Sequence, residues 1–249
     1  MLRSSKSAII VLFALYLTAW NVSADRQWEV VRGAKWQAKF NDVFFLKKST
    51  QIGWIVGSKS MILHTADGGK SWERQPSMPF PASFDKIDLH KVRFISPTMG
   101  WVCGDNGTVL KTTDGGKTWN KIHNGFPKGD LGRIAIAVAP SKPNIVYAVI
   151  ESKEDKGLYK SEDSGNSWKL LNGDFGLIVR PFYFSRLVVD PKNPDILVKG
   201  GLNGSISRDG GKTFKNMGNM HSDIHDITFD IHNSDRMYVG TDGGVYRSW

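Results

Sequence analysis

The 249-residue chain has one cysteine, Cys103, and so no internal disulfide. Helical periodicity is absent over any long stretch: apolar residues do not recur at three- and four-residue intervals, which speaks against an α-helical fold. After residue 24 no apolar run is long enough to span a bilayer, so no stable membrane anchor is expected in the mature protein. Dense basic runs are missing too. The net charge is +9, yet the lysines are scattered and no nucleic-acid motif appears, which argues for a solvated basic surface and against a nucleic-acid partner.

The first 24 residues have their own logic. Arg3 and Lys6 precede an apolar stretch from Ala8 to Trp20, and Val22, Ser23 and Ala24 supply small residues for cleavage before Asp25. The expectation is a signal peptide over 1–24 and an exported, periplasmic or extracellular protein over 25–249. Without Arg3 and Lys6, 31 basic residues face 24 acidic ones.

What the chain has in abundance is a repeat. "TADGGKSW" (Thr65 to Trp72), "TTDGGKTW" (Thr112 to Trp119), "SEDSGNSW" (Ser161 to Trp168) and "SRDGGKTF" (Ser207 to Phe214) share the pattern Ser/Thr-x-Asp-x-Gly-x-Ser/Thr-aromatic. The aspartates Asp67, Asp114, Asp163 and Asp209 are spaced by 47, 49 and 46 residues. That period, with strand patterns in between, signals a propeller. In the second unit, "KVRFI", "WVCG", "TVLKT" and "TWNKI" read as four strands broken by turn residues. Each box falls in the turn between the third and fourth strands. Its Asp is expected to accept backbone hydrogen bonds, its Gly to permit positive φ, and its aromatic residue to open the outer strand and cover the blade edge. The box aspartates are therefore read as structural.

The ring-closing arithmetic leaves a choice. "GDNGTVLKT" (Gly104 to Thr112) aligns with "GTDGGVYRS" (Gly240 to Ser248), so Ser248 takes the first position of a fifth box. "QWEVV" (Gln27 to Val31) resembles the outer strands, and Trp28 keeps the aromatic period at 44 residues before Trp72. The fold class expected is an all-β propeller of four-stranded antiparallel blades, five of them, closed by the N-terminal strand; the alternative is truncation of a larger propeller.

These motifs resemble the Asp-box, or bacterial neuraminidase repeat. "IGWIVGSKSMILHTADGGKSW" and "MGWVCGDNGTVLKTTDGGKTW" resemble photosystem II assembly factor-like propellers; "RPFYFSRLVVDPKNPD" and "HSDIHDITFDIHNSDRMYVGTDGG" are similar to sortilin-type propellers. The resemblance implies a propeller fold but several activities, from binding modules to sialidases and xyloglucanase-type glycoside hydrolases.

In such a fold the box turns occupy one face. Outer-to-inner loops and second-to-third hairpins occupy the other, where function is expected. Arg180, Tyr183, His221, Asp223, His225 and Asp242 belong there as candidate ligand-binding residues, suited to a protein, peptide or glycan. "HSDIHD" (His221 to Asp226) is dense in ligating side chains, but on one extended strand such residues seldom converge, so no metal is expected. No cofactor is implied and no catalytic residue stands out. "RIA" (Arg133 to Ala135) departs from the Arg-Ile-Pro segment of sialidases, and no carboxylate pair is singled out among Asp130, Asp223 and Asp242. A non-enzymatic exported binding propeller is the leading expectation. A glycoside hydrolase, xyloglucanase-like or sialidase-like, or a photosystem assembly factor-like protein is the alternative.

Overall fold

Strands form where β-branched and aromatic residues cluster, and end at Gly, Asn, Asp and Pro. The computed structural model describes residues 38–47, 49–75, 87–179, 186–230 and 232–248. The first blade is β1 (Phe40–Leu46), β2 (Ser49–Gly57), β3 (Met61–Thr65) and β4 (Glu73–Arg74). The second is β5 (Leu89–Phe94), β6 (Gly100–Gly104), β7 (Thr108–Thr112) and β8 (Asn120–Lys121). The third is β9 (Leu131–Val138), β10 (Val146–Ser152), β11 (Gly157–Ser161) and β12 (Lys169–Asn172). The fourth is β13 (Arg186–Val189), β14 (Leu197–Gly200), β15 (Ser205–Ser207) and β16 (Lys215–Asn216). The fifth has three described strands, β17 (Ile224–Phe229), β18 (Met237–Thr241) and β19 (Gly244–Arg247). Every sheet is an antiparallel meander of consecutive strands. The protein is an all-β, five-bladed propeller. Among the described residues the only helix is a 3-10 turn, Phe175–Leu177, and no helix is long and apolar enough to cross a membrane. The proposed closing strand around Trp28 lies outside the described residues.

The core sits between blades. Leu46, Trp54, Val56 and Ile62 pack against Val92, Phe94, Val102 and Trp119. Trp101, Cys103 and Val109 meet Ile134, Ile136, Tyr159 and Trp168 in the next seam. Tyr147, Val149 and Leu158 meet Leu187, Val189 and Leu197 in the third, and Val198 meets Ile224, Ile227, Met237 and Val239 in the fourth. Trp119 and Trp168 are buried in these seams. The box ring was expected to cover the blade edge; at Trp119 and Trp168 it instead enters the inter-blade core just ahead of the outer strand, because neighbouring sheets offer far more apolar contact than an edge does.

The four boxes share one geometry. The hydroxyl of Thr65 donates to Asp67 Oδ1 at 2.8 Å and accepts the Gly69 N–H at 2.9 Å, while Asp67 accepts the Ser71 N–H at 2.9 Å and the Ser71 hydroxyl at 2.6 Å. Thr112, Asp114 and Thr118 repeat it, as do Ser161, Asp163 and Ser167, and Ser207, Asp209 and Thr213. Positive φ falls on the fifth box position each time, 92° at Gly116, where a Cβ would also strike the Gln75 side chain at 1.9 Å. The fourth position is laxer: Ser164 adopts it at φ 61°.

Box turns and first-to-second strand connections share a face. Gly68, Gly115, Ser164 and Gly210 donate their N–H groups to Gln51, Thr98, Asn144 and Asp195 respectively. The second-to-third hairpins and the outer-to-inner loops lie at the opposite strand ends. In the fifth blade Ser248 does occupy the first box position, bonded through its N–H to the Met237 carbonyl and through its hydroxyl to the Met237 N–H.

Candidate functional site at the channel mouth

The inner strands β1, β5, β9, β13 and β17 surround a central channel of about 970 Å³. Near the end opposite the boxes, four inner strands carry a charged residue at the same register position, Asp42, Lys91, Arg186 and Asp226; the third has Ala135 there and Arg133 two residues nearer the mouth, and all five charged residues line the channel. Local backbone geometry sets this up. A register shift lies between Phe40 and Asp42, between Leu89 and Lys91, and between Ile224 and Asp226, and the third blade has one opposite Ile150 and Ser152. Bulges re-aim side chains at such points.

Asp42 accepts from Arg93 Nη1 at 2.8 Å and from the Val92 N–H at 3.0 Å, and its other oxygen lies 3.8 Å from Lys91 Nζ. Arg93 also sits 5.5 Å from the Phe44 ring centroid. Across the channel, Arg186 Nε donates to the His225 carbonyl and stands 4.0 Å from Asp226 Oδ1. Burial holds the Lys91 amine below the usual lysine range, the Arg93 guanidinium adds to this, and Asp42 opposes it. Among the described residues, four cations, Lys91, Arg93, Arg133 and Arg186, thus share the mouth with two carboxylates. A low-dielectric wall lined with excess positive charge focuses an attractive field on anions.

The bulge residues themselves form a second pattern. His90 Nε2 lies 2.6 Å from Asp105 Oδ1 in the second blade, and His225 Nε2 lies 2.5 Å from Asp242 Oδ1 in the fifth. The pairs are equivalent: Leu89 pairs with Gly104 and Ile224 with Thr241, each one residue ahead of the paired Asp. The hairpin tip therefore aligns Asp105 with Asp242, one residue off the alignment read from sequence, because the fifth-blade hairpin is shorter.

His225 and Asp242 are thus brought together by the fold. His221 packs its side chain against Gly243, where an added Cβ would strike the His221 Cβ at 2.6 Å and the ring at 2.7 Å, and its Nδ1 lies 2.9 Å from the Ser222 carbonyl. Asp223 takes φ 60° and donates its N–H to the Leu202 carbonyl, leaving Oδ1 buried without a hydrogen-bond partner. Arg180 and Tyr183 lie outside the described residues. Among the described residues no group of three or more His, Cys, Asp or Glu gathers to hold a metal ion. Residues that sequence reasoning did not assign to the site are Asp42, His90, Lys91, Arg93, Arg133, Arg186 and Asp226. The available signal was a charged residue opening each inner-strand run, as in "KVRFI", "RIAIAV", "RLVVD" and "DITF".

Asp-box blades around a charge-lined channel define a propeller of the bacterial neuraminidase repeat type. The chain belongs to the photosynthesis system II assembly factor YCF48 family, whose model matches residues 20–174. A photosystem II stability/assembly factor HCF136, chloroplastic, from Cyanidioschyzon merolae is 33% identical over 67 residues, which make up 24% of this chain and 14% of that protein. Among solved structures, YCF48 bound to D1 peptide is 20% identical, covers 87% of this chain and 81% of its own, and superposes with a TM-score of 0.44. An ancestral GH74 enzyme superposes at 0.62 with 14% identity, over 85% of this chain and 31% of the enzyme, a likeness of fold.

Proposed function

We propose that this protein is a non-catalytic propeller that binds an acidic segment of a partner protein at the face opposite the boxes, as an assembly factor holds a client. The observation that carries this is the charge at the channel mouth: among the described residues, four cations against two carboxylates, drawn from all five blades. Membership of the assembly-factor family supports a protein client over a glycan. The D1 peptide belongs to the related structure; for this chain the client's identity follows from its charge. We also propose that residues 1–24 direct export, which N-terminal sequencing of the mature protein tests by starting at Asp25.

The test of binding is charge reversal. Arg133→Glu and Arg186→Glu are each expected to weaken capture of a Glu-rich fluorescent peptide by about tenfold, measured by fluorescence anisotropy. Added salt should weaken wild-type binding in the same direction. Unchanged affinity in both variants, with normal melting, overturns the reading.

A further inference from the structure

Below the charged ring, the channel changes character. Val43, Phe44, Ile95, Ala137 and Val188 line it, and Val43 is 55% exposed although apolar. The far end is bordered by Pro97, Pro140 and Pro191 from the first-to-second strand turns. From Lys91 the strand runs to Phe94 and a bend continues to Pro97, so the shaft is at most roughly 20 Å long at about 3.3 Å per residue. A volume of about 970 Å³ over that length leaves a cross-section of at least roughly 50 Å². One extended strand in stacked sheets occupies about 4.8 Å by about 10 Å, which fits that area. Each inner strand is also the last of its sheet, so one backbone edge is left without a sheet partner.

Resting on the function proposed above, we infer that the client segment inserts into the channel as a single extended strand, with apolar residues in the shaft and Asp or Glu side chains at the level of Lys91, Arg133 and Arg186. Charge complementarity fixes the orientation: carboxylates stop at the ring, and the apolar end goes down. The unpaired inner-strand edges offer main-chain hydrogen bonds, while the alternation of side chains along the inserted strand meets the walls. A segment lying across the rim would use neither the exposed Val43 surface nor the shaft volume.

Three fluorescein-labelled heptapeptides decide this: Glu-Glu-Ala-Val-Ala-Val-Ala, the same tail behind Lys-Lys, and Glu-Glu before a Ser/Gly tail. The first is expected to bind at least about tenfold tighter than either comparator. Thr228→Trp and Val43→Trp each fill the shaft from an exposed, channel-lining position, so the fold should survive, as melting verifies. Both should bring the first peptide down to the affinity of the Ser/Gly one. If the apolar and Ser/Gly tails bind equally and the Trp variants change nothing, insertion is overturned while acidic recognition at the mouth stands. If the wild type binds none of the three, insertion and the function beneath it both fall.

Discussion

Gln75 Nε2 donates a 2.7 Å hydrogen bond to the Gly115 carbonyl, tying the end of the first blade to the box of the second. The next seams repeat the tie with different chemistry. Lys111 Nζ donates to Asn166 Oδ1 at 2.9 Å, and Asn172 Nδ2 donates to the Lys212 carbonyl at 2.9 Å. A box is therefore both a turn and a socket for its neighbour. Gln75→Ala is expected to lower stability by about 1 kcal/mol, because the Gly115 carbonyl loses its shorter bond inside a seam and keeps only the one from Trp54 Nε1 at 3.3 Å. The urea midpoint measures this; a change confined to the m-value would point elsewhere.

Thr112 is fully buried and its hydroxyl serves Asp114 and Gly116 at once. Thr112→Val keeps the shape and removes both bonds, and should cost about 1–3 kcal/mol. Thermal unfolding reads the loss, and an unaltered melting temperature would refute the structural role of the box.

Acid sensitivity follows from the same turns. Burial pushes the Asp114 carboxyl upward, but hydrogen bonds from the Thr118 hydroxyl and N–H and from Thr112 outweigh it and bring the pKa down to about 2. Asp163 behaves alike with Ser167 and Ser161, at about 2. The Ser71 hydroxyl foremost holds Asp67 well below the carboxylate range, and Thr213 does so for Asp209. The folded pKa is depressed, so this stability is present above the unfolded value near ~3.9 and is lost as pH falls through about 2. Chemical denaturation at stepped pH should show stability dropping across that window, and Thr112→Val should shift the drop to higher pH.

Trp119 has no exposed surface; its ring meets Phe94 edge-on at 5.9 Å, and Phe94 stacks on Trp54 at 3.4 Å and 5°. Trp119→Ala should cost about 3–5 kcal/mol. Near-ultraviolet dichroism would lose the aromatic signature before the far-ultraviolet β signal if the seam, and not the blade, fails first.

Cys103 is buried in the second seam and burial pushes its thiol up to about 12. Its Sγ–H points at the Ile134 carbonyl, 3.2 Å away. A thiol reagent at neutral pH should leave it untouched until denaturant is added, since the thiolate is the nucleophile. Rapid native labelling would contradict this placement.

The propeller was legible because its evidence is local: eight residues of box close their own hydrogen bonds and recur at a fixed interval. His225 and Asp242 were legible as members of one face, and the fold joins them directly. The ring of Asp42, Lys91, Arg133, Arg186 and Asp226 was not, because each blade contributes one charge and no two neighbours in sequence belong to it. Lys91 alone reads as a solvated strand-end residue. Only closure around an axis puts it beside Arg186 and Asp226, near enough for both to act on its amine. The burial of the Trp119 ring escaped for a similar reason: a strand pattern tells which side a residue faces, and not what stands there.

The fifth blade has a different mechanical standing from the rest. Among the described residues it has three strands, and only the opening residue of a box, Ser248, seated against Met237. Its hold on the fourth blade comes from Asp223 and Ile224 bonding the Leu202 and Gly201 carbonyls, and from the apolar seam around Val239. Strands β18 and β19 are also less buried than β6 and β10, so opening under native conditions should begin with the first two. Amides of β18 and β19 would exchange first, those of β6 and β10 last, and the wall of the channel nearest Asp226 would part before the wall nearest Arg133.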